Sequence, residues 1–205
     1  MKPDAFASVM ATGIVSIAAA DHGYLAISDV LIVLAAVALP ALIVAGATAW
    51  RRKSWDLTDL DVSLRLCTYV AACAVVGARL AEHRIVLWVL AGMALQGWLS
   101  LAPVMARRMW RVYLLMTAWI PPLIYLTVRR FRRRRALPPA LWWAAVFPLG
   151  MYSAATYATA VETGWRWLTV VSQVFFWIAF AAWVIVAIES LLRFGDHAMR
   201  KLRRV

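Results

Sequence analysis

The sequence predicts an all-α protein, a polytopic transmembrane helical bundle of six to seven membrane segments arranged as antiparallel helical hairpins. Three observations carry that reading. Hydrophobic residues make up 64% of the 205 positions and charged residues 16%, whereas a soluble domain is about half apolar and about a quarter charged. The charges fall in short clusters between long uncharged runs, as they do where bilayer-crossing helices alternate with loops. Tryptophans gather near the ends of those runs, at Trp50, Trp55, Trp110, Trp142, Trp143, Trp165 and Trp167, where an indole ring favours the membrane interface.

Seven apolar segments follow in order: Pro3 to Ala20, Val30 to Trp50, Leu64 to Leu80, Ile85 to Ala106, Val112 to Val128, Ala140 to Val161 and Trp167 to Ile188. At 1.5 Å per residue, about 20 residues cross about 30 Å of hydrocarbon. The first and third segments are short. Arg65 and Arg79 bound the third, and their long side chains can reach the headgroups from inside its ends. The fifth is interrupted at Pro121 and Pro122, which lack amide donors and break or kink a helix. Because the connections are short, residues 1–205 read as a single integral membrane domain.

The net charge of +12 belongs to the loops. No basic-aromatic recognition module accompanies it, which argues against nucleic acid and for the positive-inside bias and contact with the lipid bilayer. With a cytoplasmic amino terminus, the first four helices place Arg51, Arg52 and Lys53 inside, and Arg107, Arg108 and Arg111 inside again. A full crossing by Val112 to Val128 would then carry Arg129 to Arg135, with six arginines, and the tail with Arg200, Lys201, Arg203 and Arg204 to the outside. That breaks the bias. If the proline-broken segment is re-entrant or interfacial, every basic cluster is cytoplasmic. Six crossings is therefore the preferred count for a multi-pass cell-membrane protein with both termini inside.

Cys67 and Cys73 lie about 120° apart around a helix, so they read as packing residues that do not bridge. Asp4 stands where a signal peptide would carry basic residues, so the first helix is expected to be retained. Asp56, Asp59 and Asp61 could hold a divalent metal, but a solvated loop with helix-capping aspartates accounts for them better. His22 and His83 are expected in outer loops and His197 in the tail, with no metal-ligand spacing. Arg79, Glu82 and Arg84 could draw anions to a vestibule, although snorkelling explains them as well. With no GxSxG, no HExxH and no intramembrane carboxylate pair, the chain is not read as an enzyme, and no cofactor or metal is implied.

Two helices carry the candidate functional residues. In the first, Ser8, Thr12 and Ser16 recur every fourth residue and form a hydroxyl stripe beside Gly13. Such a stripe packs helices through small residues, or lines a path with weak hydrogen bonds that release an ion readily. In the sixth, Phe147 precedes Pro148, where the helix is expected to be disrupted at the carbonyl of Ala144. Gly150 and Ala154 leave room beside the ring, and Thr156 and Thr159 add hydroxyls further along. A bulky ring facing small residues is either ordinary packing or a steric plug.

The stretches PDAFASVMATGIVSIAAADHGY, YVAACAVVGARLA and WWAAVFPLGMYSAATYATA resemble the first, third and ninth helices of the tellurite-resistance/dicarboxylate transporter family, which includes bacterial malate carriers and plant guard-cell slow anion channels. The resemblance spans about four fifths of the chain, at both ends. It implies a fold of helical hairpins around a pore, a phenylalanine gate at Phe147, a bend at Gly13, an anionic small-molecule substrate (a C4-dicarboxylate such as malate or a small monovalent anion), and a homo-oligomer, by resemblance a trimer. Three helices of the family pattern are absent between the segment similar to the fourth helix and TAWIPPLIYLTVRRFRRRR, which is similar to the eighth. That deletion implies the alternative: a shortened member that packs or oligomerises without a pore of its own.

Overall fold

The computed structural model describes residues 5–52, 60–101 and 139–202. Among them the chain is all-helical: α1 Phe6–Asp21, α2 Leu25–Arg52, α3 Leu60–Arg79, α4 Arg84–Leu101, α5 Pro139–Thr163 and α6 Arg166–Leu202. Three stretches are long and apolar enough to cross a membrane: Leu25–Ala49, Arg84–Leu101 and Arg166–Arg193. The segment Val112 to Val128, the run Arg129 to Arg135, and Asp56 and Asp59 lie outside the described residues.

Several helix ends differ from those the apolar runs suggest, each for a local reason. α2 starts at Leu25 rather than Val30, because the turn before it is tight. Gly23 adopts φ +78°, the amide of Gly23 donates to Ala20 O at 2.9 Å, and that of Tyr24 donates to Ala19 O at 2.8 Å. These paired bonds satisfy the last carbonyls of α1 with a left-handed residue that glycine adopts without a Cβ clash. α3 starts at Leu60, so Asp61 belongs to the helix rather than to the loop. α6 continues to Leu202 rather than stopping at Ile188, and places His197 on a helix. Glu189 pairs with Arg193 one turn on, which carries the helix beyond its apolar part.

α1 is the centre of the bundle. Twelve of its sixteen residues are buried, and α2, α3 and α5 pack around it, with α6 closing over α5. Its small residues make this possible. A Cβ on Gly13 would stand 2.8 Å from Val75 Cγ1 of α3, and a Cβ on Gly150 of α5 would stand 2.7 Å from Ile14 Cγ2 of α1. Without a hydrophobic force between helices in lipid, such close approach supplies the dispersion that holds them. The outer faces carry large apolar side chains instead, with Ile85 81% and Trp88 74% exposed.

Helix directions follow from the contacts. Phe6 meets Tyr69 and Gly46, Gly13 meets Val75, and Arg79 reaches Ser28, so α3 runs parallel to α1 and α2 antiparallel. Gly77 faces Leu90 while Gly97 faces Val70, which makes α4 antiparallel to α3. Thr12 bonds Trp183, the partner of Trp143, and His22 meets Tyr157, so α5 runs parallel to α1 and α6 returns. Leu101 and Pro139 therefore lie at the Phe6 end of the bundle, as do the ends of α2 and α6.

Gly150→Val is expected to lower stability by about 1–3 kcal/mol through overpacking against Ile14. Gly92→Ala, with nothing within 4 Å of the added Cβ, should be neutral or gain up to about 1 kcal/mol in helix propensity. Unfolding of both variants in one detergent checks the pair.

Candidate functional site

Phe147 sits at the joint of the interior. It is partly buried and packs against both apolar clusters, one built from Phe6, Val9, Met10, Leu39 and Val76, the other from Ile14, Val15, Val146 and Phe176. Pro148 behind it is exposed, and α5 runs from Pro139 to Thr163 without interruption. The expected disruption is limited to one missing amide, which an exposed turn of helix accommodates. Gly150 is buried against Ile14, so α1 takes up room that it leaves. Gly13 is likewise filled by Val75, inside a helix that is continuous from Phe6 to Asp21.

The hydroxyl stripe lies on α1 as its spacing requires, and its protons are committed to backbone carbonyls. Ser8 Oγ donates to Ala5 O at 2.7 Å, Thr12 Oγ1 to Ser8 O at 2.8 Å, and Ser16 Oγ to Ser28 O at 2.8 Å. Thr12 Oγ1 also accepts from Trp183 Nε1 at 2.8 Å. A hydroxyl has a single proton, so in this arrangement none of the three can donate to an anion. Thr156 on α5 is half-buried, and Thr159 donates to Ala155 O at 2.9 Å.

At the opposite end from Phe6 the structure brings together residues that spacing alone had not connected. Ser16 and Ser28 exchange bonds across the α1–α2 hairpin, each hydroxyl donating to the other residue's carbonyl at 2.8 Å. Ser153 and Ser172 repeat the exchange across the α5–α6 hairpin at 2.9 and 2.7 Å. All four serines are fully buried. The sequence carries the signal as GIVS and GMYS on the ascending helices and ISDV and VSQV on the returning ones, with Gly23 and Gly164 both left-handed at the turns.

Each clasp receives a nitrogen donor from a neighbouring element. Arg79 Nε of α3 donates to Ser28 Oγ at 2.9 Å, and its Nη2 reaches Asp29 Oδ1 at 3.3 Å. Arg79 thus turns into the bundle rather than snorkelling. His22 Nε2 lies 2.9 Å from Ser172 Oγ, whose proton is already on Ser153 O, so Nε2 carries the hydrogen. The histidine expected in a solvated loop is half-buried, between the rings of Tyr157 and Phe176. Burial holds its pKa below the usual 6.5, and a hydrogen bond with the Ser172 backbone partly offsets that. Burial also raises the pKa of Asp21, which the positive charge of Arg79 pulls back in part. Cys67 and Cys73 are not joined in a disulfide. Among the described residues no group of three or more His, Cys, Asp or Glu side chains could hold a metal.

No family model, curated protein or solved structure matches the chain.

Because the folded state disfavours the imidazolium, the contribution of His22 to stability is complete above pH 6.5 and is lost as pH falls through its lower folded value. His22→Gln keeps an N–H for Ser172 without titrating. The variant should lose less of its thermal midpoint than the parent between pH 8 and pH 5, measured side by side.

Removing one arm of a clasp, as in Ser153→Ala, should cost about 0.6–1.7 kcal/mol, the range for interhelical hydrogen bonds in membranes. Chemical denaturation in detergent reads this directly.

Proposed function

We propose that the chain is a multi-pass membrane protein that moves small anions, C4-dicarboxylates or monovalent ions, through a path constricted by Phe147. The observation that carries this reading is the position of that ring, half-buried where the two apolar clusters meet against the central helix. The resemblance of α1, α3 and α5 to helices of the tellurite-resistance/dicarboxylate transporter family supports it.

Six crossings are part of the proposal. Leu101 and Pro139 lie at one end of the bundle, and a chain that leaves and re-enters on the same side crosses an even number of times in between. Arg51 lies at that end, and the clusters Arg107 to Arg111, Arg129 to Arg135 and Arg200 to Arg204 follow or precede helix ends there in sequence. The positive-inside rule makes this end cytoplasmic, with both termini.

A specific observation favours a second reading, a shortened family member that packs with copies of itself without its own path. The glycines are filled by Val75 and Ile14, and the stripe's protons are committed to carbonyls.

Anion flux into liposomes containing purified protein separates the two. Transport through the proposed constriction predicts that Phe147→Ala raises flux severalfold. An unchanged rate sinks the gate, and absence of flux from both forms favours the packing reading.

A further inference from the structure

We propose that Arg79 forms a carboxylate-binding site at the outer end of the bundle, in which Asp29 occupies the place an external carboxylate takes. The inference deepens the transport reading and rests on it for its biological purpose.

The site is built from the clasp upward. Ser28 is fully buried and its own proton is on Ser16 O, so its Oγ can only accept from Arg79 Nε, at 2.9 Å. That bond holds the inner edge of the guanidinium in place. The arginine side chain is 23% exposed, and its outward nitrogen meets Asp29 at 3.3 Å, a long contact to a carboxylate that is 69% exposed. Exposed pairs contribute about 0–1 kcal/mol, little enough for a soluble carboxylate to compete. The planar fork of a guanidinium matches a carboxylate with two parallel N–H bonds, and the group on it here is itself a carboxylate. Asp21 also lies within electrostatic reach of Arg79: burial raises its pKa and the arginine's charge lowers it in part. The other cations near this end, Arg84 and Arg166, begin helices α4 and α6.

Thermal unfolding of the purified full chain in detergent, titrated with succinate, tests the site. The parent should show a saturable rise in midpoint. Asp29→Asn should lower the half-saturating concentration about two- to fivefold, the factor an exposed pair of up to about 1 kcal/mol represents. Arg79→Lys keeps the charge without the fork and should raise that concentration. Arg79→Gln should abolish the response. No saturable response in either the parent or Asp29→Asn overturns the site, as does a full response in Arg79→Gln. Should Arg79→Gln not fold, the opposite shifts of Asp29→Asn and Arg79→Lys still decide. Chloride should act equally on all forms, and a chloride response that follows the succinate pattern overturns the carboxylate assignment.

Flux measured on the same variants keeps the two readings apart. Succinate binding through Arg79 without flux in any form retains the site and ends the transport reading. Flux whose succinate dependence is identical in the parent, Asp29→Asn and Arg79→Gln retains transport and ends the site.

Discussion

The close approach of α1 to α3 and α5 is the constraint on which the rest of the arrangement depends. Two glycines set it, one on α1 facing Val75 and one on α5 facing Ile14. In lipid, burying an apolar side chain against another helix gains little over leaving it among acyl chains, so association rests on contact density. Small residues on both sides of α1 let its neighbours come near enough for backbone to meet side chain. α1 is consequently buried almost all round, although it is shorter than the three helices that meet the length for a span.

Once the helices are that near, their polar groups lie within reach of one another and out of water. Each must then find a partner inside the protein. Among the described residues no buried side-chain nitrogen or oxygen lacks one. The two serine clasps show how this shapes the bundle, since each ties the helices of one hairpin by their own carbonyls and leaves an acceptor that a third element fills. Arg79 fills one and His22 the other. The first cap is a guanidinium fork, while the second is an imidazole, which titrates. Hairpin packing and the charge pattern at the turn end are thus linked through single atoms.

The same economy bears on function. A stripe of hydroxyls offers an anion its protons only if they are unclaimed, and here the backbone has claimed them. What remains toward the interior is apolar: the Phe147 ring and the clusters it joins. Among the described residues charge is concentrated at the two ends, with Arg51 and the Glu189–Arg193 pair toward the Phe6 end and a mixed set of Arg79, Asp29, Asp21 and His22 at the other.

Helical class and the presence of apolar helices long enough to cross a membrane were legible in the sequence because they depend on composition and periodicity along one chain. The stripe of Ser8, Thr12 and Ser16 follows from 3.6 residues per turn and is found where that period puts it. The apolar runs likewise located the helices, but not their ends, since capping at Gly23 and pairing of Glu189 with Arg193 extend helices into polar sequence. Which atom each hydroxyl proton meets, which neighbour fills the space beside a glycine, and that Arg79 and His22 turn inward were decided by tertiary structure alone. Each of these depends on a residue far along the chain, such as Ser172 for His22, and spacing within one segment carries no information about a partner that only the packing of separate helices brings within hydrogen-bonding distance.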